Sequence, residues 1–282
     1  MGKSQILFLS LFLITICCSC QTREIITSDC SDKIFKDSLI NRFIINGCQK
    51  VYYNDSTYTR YCDSLIYTCS NIAIAYQQKA IPMIKSGDYA NAFASINIAV
   101  KLEPKNYTAY RGFLKCIFTK DYNGAIIDFT TAKKYTQDGF EMDHTYLFYI
   151  GLCHLELKNY KLSEQNLNAD ITMQTNTKLN KSPHFNSMLY LGILYYEMKE
   201  TKKACEWLLK SLNIYPNSPE ANYYLALVYK KTNNTQLYLK HLMSSKDAII
   251  SGYSLNEDNE YYVYYPHQIT LFDIEKEAAS IK

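Results

Sequence analysis

The chain has 282 residues, of which 48% are hydrophobic and 20% charged, enough apolar material for a sizeable core and too much for wholesale disorder. A net charge of +3 falls far short of the basic patch that nucleic acid demands, so no nucleic-acid partner is expected. Nine Gly and six Pro are too few for a turn-rich all-β fold and suit stacked helices.

At the N-terminus, Lys3 precedes a nearly unbroken apolar run from Ile6 to Ile16. That run is too short to cross a bilayer as a helix and has the length of a signal-peptide apolar region. Cys17-Cys18-Ser19-Cys20 follows, then polar Gln21-Thr22-Arg23-Glu24. An apolar run ending in a small residue and a cysteine resembles a bacterial lipoprotein signal. The resemblance implies removal of residues 1–19 and acylation of Cys20, with Cys18 as the alternative. It also implies a lipid-anchored protein of the cell envelope facing the periplasm or the exterior. An ordinary secretory signal cut nearby would instead give a secreted chain.

Residues 20–72 read as a tether and a Cys-containing helical N-terminal cap. Ile34, Phe35, Leu39, Ile40, Phe43 and Ile44 have helical spacing, predicting a helix over 31–45 that Asn46-Gly47 ends. A second helix is expected over 58–71. Cys30, Cys48, Cys62 and Cys69 permit three pairings. A helix over 58–71 would hold Cys62 and Cys69 about 10 Å apart, too far to bridge. Cys30 and Cys48 would then pair with either of them or with one another. Cys116, Cys153 and Cys205 fall inside predicted helices, as small buried hydrophobes. No CxxC spacing occurs, so no metal site is expected.

From residue 73 a period emerges. Gly87-Asp88-Tyr89-Ala90-Asn91-Ala92 and Lys120-Asp121-Tyr122-Asn123-Gly124-Ala125 share a polar turn, an aromatic and then Ala three residues on. Fainter echoes place the aromatic-or-Thr position at 89, 122, 160, 201 and 235, in steps of 33, 38, 41 and 34. A unit counted from Ala73 puts Tyr76, Ala80 and Met83 at positions 4, 8 and 11. Tyr89, Ala92, Ile96, Ala99 and Pro104 then fall at 17, 20, 24, 27 and 32. Units from Phe185 and Pro219 repeat the small residue at 8 (Gly192, Ala226) and the large one at 24 (Leu208, Leu242). A unit from His144 keeps Gly151 and Tyr160 but departs at Ser163 and Asp170. A unit near Tyr107 carries Tyr110, Tyr122, Ala125, Phe129 and Ala132, with one residue missing from the turn between its helices.

This pattern resembles the tetratricopeptide repeat, a pair of helices A and B that stacks on its neighbours. The resemblance implies an all-α fold, a right-handed α-solenoid of about five helix pairs (73–106, 107–139, 144–173, 185–218 and 219–252) with capping helices at both ends. Helices A and B are expected to cross where position 8 meets position 20. One pair cannot bury its apolar face alone, but stacked pairs share a continuous core. The family's concave face is lined by helix A positions 2, 5, 9, 12 and 13. Here these supply Gln77, Ile81 and Ile84 in the first repeat, and Phe148, Leu152 and Leu155 in the third, with Glu156 at position 13. The fourth supplies Leu189, Ile193 and Tyr196, with Glu197 at 13. The fifth supplies Tyr223, Leu227 and Lys230, with Glu220 at position 2. An exposed apolar stripe of this kind marks a protein or peptide partner; the alternative is a superhelix twisted tightly enough to bury part of the stripe against its neighbours.

Residues 253–282 form a Tyr-rich segment and a last helix expected over 267–281, read as a cap over the last repeat, with a Tyr-rich edge that docks a partner as the alternative. None of the sequence patterns for a nucleophile elbow, zinc protease, phosphate loop or dinucleotide fold is present. The five histidines are scattered, and His154 falls at a core position. Neither an enzyme nor a cofactor is expected. A lipid-anchored scaffold that binds a protein or peptide at the envelope is the expected function. The architecture is similar to that of the repeat-bearing lipoprotein of β-barrel assembly and of pilus pilotins. An accessory glycan- or nutrient-binding surface lipoprotein is the alternative.

Overall fold

A computed structural model describes residues 29–176, 183–255 and 263–280. The signal segment, Cys18 and Cys20 lie outside the described residues. Helices α1 (Lys33–Ile40) and α2 (Ser56–Thr68) form the N-terminal cap. Five pairs follow: α3 (Ala73–Lys85) with α4 (Tyr89–Leu102), α5 (Pro104–Leu114) with α6 (Tyr122–Tyr135), α7 (Tyr146–Glu156) with α8 (Tyr160–Asn176), α9 (Phe185–Glu197) with α10 (Thr201–Ile214), and α11 (Pro219–Lys231) with α12 (Thr235–Ile250). Helix α13 (Leu271–Ala279) ends the described chain, and a short antiparallel pair, β1 (Phe140–Glu141) and β2 (His144–Thr145), precedes α7. The architecture is the expected helical solenoid of consecutive packed pairs.

Local chemistry starts most of the repeat helices. Side-chain oxygens of Asp88, Asp121, Thr145, Ser218 and Asn234 accept from backbone N–H groups in the first turns of α4, α6, α7, α11 and α12, satisfying donors that the helix itself leaves open. Pro104 and Pro219 open α5 and α11, where no N–H is needed. Every A-to-B turn contains one left-handed residue two places before the position-17 residue: Gly87, Lys120, Lys158, Lys199 and Asn233. Only the first repeat meets this demand with glycine.

The small residue at position 8 sets the spacing within a pair. A Cβ on Gly151 would lie 2.7 Å from Leu167 Cγ, and one on Gly192 would lie 2.6 Å from Leu208 Cγ. The atoms nearest to these glycines belong to the large residue at 24. That side chain reaches across the crossing, and its backbone nitrogen lies 3.2 Å from the same point in both repeats.

The second repeat corrects the sequence reading. Its crossing residue is Gly112, whose added Cβ would meet Asp128 and the Phe129 ring, so helix A sits two residues earlier than a start at Tyr107 allows. Nine positions separate Gly151 from Tyr160 and Gly192 from Thr201, but ten separate Gly112 from Tyr122. One residue is therefore added, not missing. The chain absorbs it as a π-turn over Lys115–Thr119 that continues α5, the usual device for a single helical insertion. Arg111 and Lys115 on this segment both pair with the buried Asp128 of α6, at 2.6 and 2.8 Å.

The departures of the third repeat also have a physical cause. Asp170 is fully buried and accepts from Thr145 Oγ1 (2.6 Å), Gln174 Nε2 (2.7 Å) and Ser187 Oγ (2.5 Å). It thereby joins α7, α8 and α9 by hydrogen bonds where other repeats use a small side chain.

The cap differs from expectation in its bounds. The first helix starts after Asp32, its N-cap, and passes into a π-turn over Asn41–Ile45; the second spans 56–68 rather than 58–71. A disulfide joins Cys30 to Cys69, tying the approach to α1 to the end of α2. The Cys48 and Cys62 thiols lie side by side in the small cap core. The cap docks on the first repeat through Tyr58, whose hydroxyl donates to Gln78 Oε1 at 2.6 Å. At the other end, α13 spans 271–279 rather than 267–281. It starts at a Thr270–Asp273 capping box and seals Ala226, Tyr238 and Leu242 with Ile274.

Exposed Lys199 occupies a left-handed turn that favours glycine. Lys199→Gly is expected to raise stability by roughly 0.5–1 kcal/mol, read as a shift of the urea midpoint at unchanged slope. A lower midpoint would show that the lysine has a compensating role.

Candidate partner-binding groove

The twelve residues expected to line the groove divide into two sets. Phe148, Leu152, Leu155, Leu189 and Ile193 are at most 1% exposed. Phe148 is packed between the His144 ring and the Tyr190 ring of the next A helix, at 4.0 and 5.6 Å between centroids. Tyr196, Tyr223 and Leu227 are half-buried and Lys230 is exposed. Lys230 is engaged by α13 through Glu277 at 2.6 Å. In the third and fourth repeats the stripe is thus mostly core, and in the fifth it is half-buried or exposed.

The chain itself occupies this part of the face. Val263 and Tyr265 are buried in the main solenoid core, at 7% and 5% exposure. The segment that follows runs along the A helices. The Lys120 ammonium donates to the Tyr264 carbonyl, the Tyr190 hydroxyl to the Pro266 carbonyl (2.8 Å), and the Ile269 N–H to Glu220 (3.3 Å). His267 Nε2 lies 2.9 Å from Glu156 and 3.9 Å from Glu197, while its Nδ1 meets the Tyr224 hydroxyl at 2.7 Å. The described part of the Tyr-rich segment, from Val263 on, thus lies along repeats two to five.

An open stretch remains at the N-terminal end. Gln77, Ile81, Ile84 and Lys85 of α3 face Tyr110, Phe113, Leu114, Phe118 and Met142 across a pocket of about 210 Å³. Three of the expected groove residues, Gln77, Ile81 and Ile84, line this pocket, with Gln77 and Ile81 half-buried and Ile84 buried at its base. The sequence reading missed the opposite wall because its register for the second repeat was displaced. Gly112, matching Gly151 and Gly192 as a small residue ahead of a polar turn, was the signal that would have placed it. It also missed position 6 of helix A, where Tyr190 and Tyr224 carry the hydroxyls that meet the C-terminal segment.

Two carboxyls have strongly altered acidity. Burial pushes Glu220 up to about 7, against opposing backbone hydrogen bonds, and burial likewise raises Glu141 to about 7. For Glu156 burial opposes ionisation but is outweighed by His267, Tyr122 and Lys120, so its pKa falls below the usual value. His154 is half-buried, and burial lowers its pKa. Among the described residues no group of three His, Cys, Asp or Glu side chains could hold a metal ion.

With this geometry in hand, residues 186–218 match the model of the tetratricopeptide repeat family. No curated protein matches the sequence. PilW, a type IV pilus biogenesis factor, shares the fold at a TM-score of 0.62 and 11% identity, over 80% of this chain and 96% of PilW. A tetratricopeptide-repeat protein from Parabacteroides merdae is similar at a TM-score of 0.61 and 12% identity, over 76% of this chain and 79% of that one. A chain of the Cut9–Hcn1 hetero-tetramer of the APC/C is similar at 0.58 and 17% identity, over 76% of this chain; the present chain spans only 42% of that one. These likenesses show the fold, a solenoid of tetratricopeptide-type helix pairs.

The raised carboxyls predict a pH dependence. Between about pH 4.5 and 7 the folded chain holds protons on Glu220 and Glu141 that the unfolded chain has released. Stability from this source is greatest at the acid end of the window and is lost as pH rises to 7. Glu220→Gln keeps the acceptor for Ile269 and is expected to remove roughly half of that slope. Urea midpoints measured from pH 5 to 7.5 test it, and an unchanged slope would show that Glu220 ionises normally.

Proposed function

We propose that this protein is a lipid-anchored adaptor that holds a protein or peptide partner at the cell envelope, with the open end of its A-helix face as the docking site. A tetratricopeptide-repeat fold is that of a protein-interaction scaffold. The observation that carries the proposal is the pocket between α3 and α5, where Ile81, Phe113, Phe118 and Met142 surround a cleft edged by Lys85 and Gln77. Apolar side chains with a few polar groups at the edge suit an anchor residue of a bound segment. No described helix is long and apolar enough to cross a membrane, so the anchor in this reading is a lipid on Cys20, or on Cys18 in the alternative. The apolar run ahead of Ser19-Cys20 supports it.

Intact-mass measurement of protein extracted from membranes should show loss of residues 1–19 and a diacylglyceryl or triacyl addition on Cys20; a mature mass without lipid would contradict the anchor. A photo-crosslinking residue at Ile81 should give one discrete adduct in whole cells, suppressed by Phe118→Glu, while the same group at exposed Leu209 gives none. Equal labelling from both positions would contradict the docking site.

A further inference from the structure

The C-terminal segment contacts the A helices in the manner of a bound peptide. Three of its main-chain groups, the Tyr264 and Pro266 carbonyls and the Ile269 N–H, are met by side chains from three different repeats: Lys120, Tyr190 and Glu220. Contacts to main-chain groups hold a segment without demanding a particular sequence; this one turns at Pro266–His267, where His267 is left-handed and the Gln268 N–H donates back to the Tyr265 carbonyl at 3.1 Å. Selectivity comes from three side chains. Val263 and Tyr265, two positions apart, are buried in the core, and His267 reaches between Glu156 and Glu197. Tyr224 and Tyr190 flank the imidazole, with ring centroids 5.8 and 6.3 Å away.

We propose that residues 263–269 are an intramolecular ligand of the groove. The external ligand of the same groove is a segment of like chemistry that turns after its aromatic residue: an aliphatic and an aromatic residue two positions apart, then proline, then a cationic or imidazole side chain for Glu156 and Glu197. The inference rests on the reading of this face as a partner site, and it adds that repeats two to five are self-occupied until a competitor displaces the tail. A tethered segment competes at an effective concentration on the order of millimolar. A free peptide of equal intrinsic affinity therefore binds the intact chain poorly, and weakening the tail uncovers the site.

The test uses the full chain and a fluorescent peptide with the sequence of residues 263–269, Val-Tyr-Tyr-Pro-His-Gln-Ile. A full-length Tyr265→Ala/His267→Ala variant should bind this peptide at least tenfold more tightly than the unaltered chain, by anisotropy. Adding Glu156→Gln and Glu197→Gln to that variant should cost about fivefold or more. Equal affinity of variant and unaltered chain, or no binding by a variant that retains its helical circular dichroism, would overturn the proposal. Should the double variant lose its helical signal, His267→Ala alone decides: affinity must rise above that of the unaltered chain, and failure to rise overturns the proposal. Crosslinking from Ile81 depends on the first two repeats and not on the tail. Loss of the Ile81 adduct with intact peptide competition would fail the adaptor reading alone, and the reverse result would fail the self-ligand alone.

Discussion

A Cβ atom on Gly192 would stand 2.6 Å from Leu208 Cγ and 3.2 Å from its backbone nitrogen. A small residue at this crossing governs the solenoid. In the third and fourth pairs only glycine allows so close an approach, while the first and fifth carry Ala at position 8, and the large side chain at position 24 fills the crossing. Ala80, Gly112, Gly151, Gly192 and Ala226 are all buried. The constraint outranks helix regularity. In the second repeat the chain keeps Gly112 over Phe129 and takes up its surplus residue in a π-turn. That turn buries Cys116, Ile117 and Phe118, and Phe118 becomes a wall of the open pocket.

Much of this was legible in the sequence because it follows from periodic steric demands. Small residues at 8, large ones at 24 and polar turns before position 17 located four of the five pairs and the residues of α3 that line the pocket. The second register was misread because the aromatic Tyr122 anchors helix B, and counting backwards from it assumes a helix without insertions. A π-turn has no local signature in Lys115-Cys-Ile-Phe-Thr119. The path of residues 263–269 was illegible for a different reason. Its main-chain contacts to Lys120, Tyr190 and Glu220 span 144, 76 and 49 positions, and backbone hydrogen bonding leaves no pattern in side-chain identity. The Cys30–Cys69 disulfide joined two residues among pairings that spacing alone left open.

In the proposed reading the solenoid has two binding regions along one face. The first two repeats, braced by the disulfide-linked cap, present an apolar pocket edged by Lys85. The last three carry a run of carboxylates, Glu156, Glu197 and Glu220, and the chain's own histidine and backbone amide lie against them. Acidity is tuned accordingly: Glu156, facing His267, is held below its ordinary pKa, whereas Glu220, deeply buried, is held above it. Charge and burial together favour a segment that brings a cationic side chain and leaves an N–H for Glu220.

The central claim is that the C-terminal segment lies on the A-helix face of repeats two to five in the free protein. Hydrogen exchange at single-amide resolution tests it directly. The Ile269 N–H donates to buried Glu220 and the Tyr265 N–H to Gln268, so both should be protected from exchange by at least about tenfold relative to a free peptide of the same sequence. Exchange of both amides at the free-peptide rate, with α9 and α11 still protected, would contradict the account.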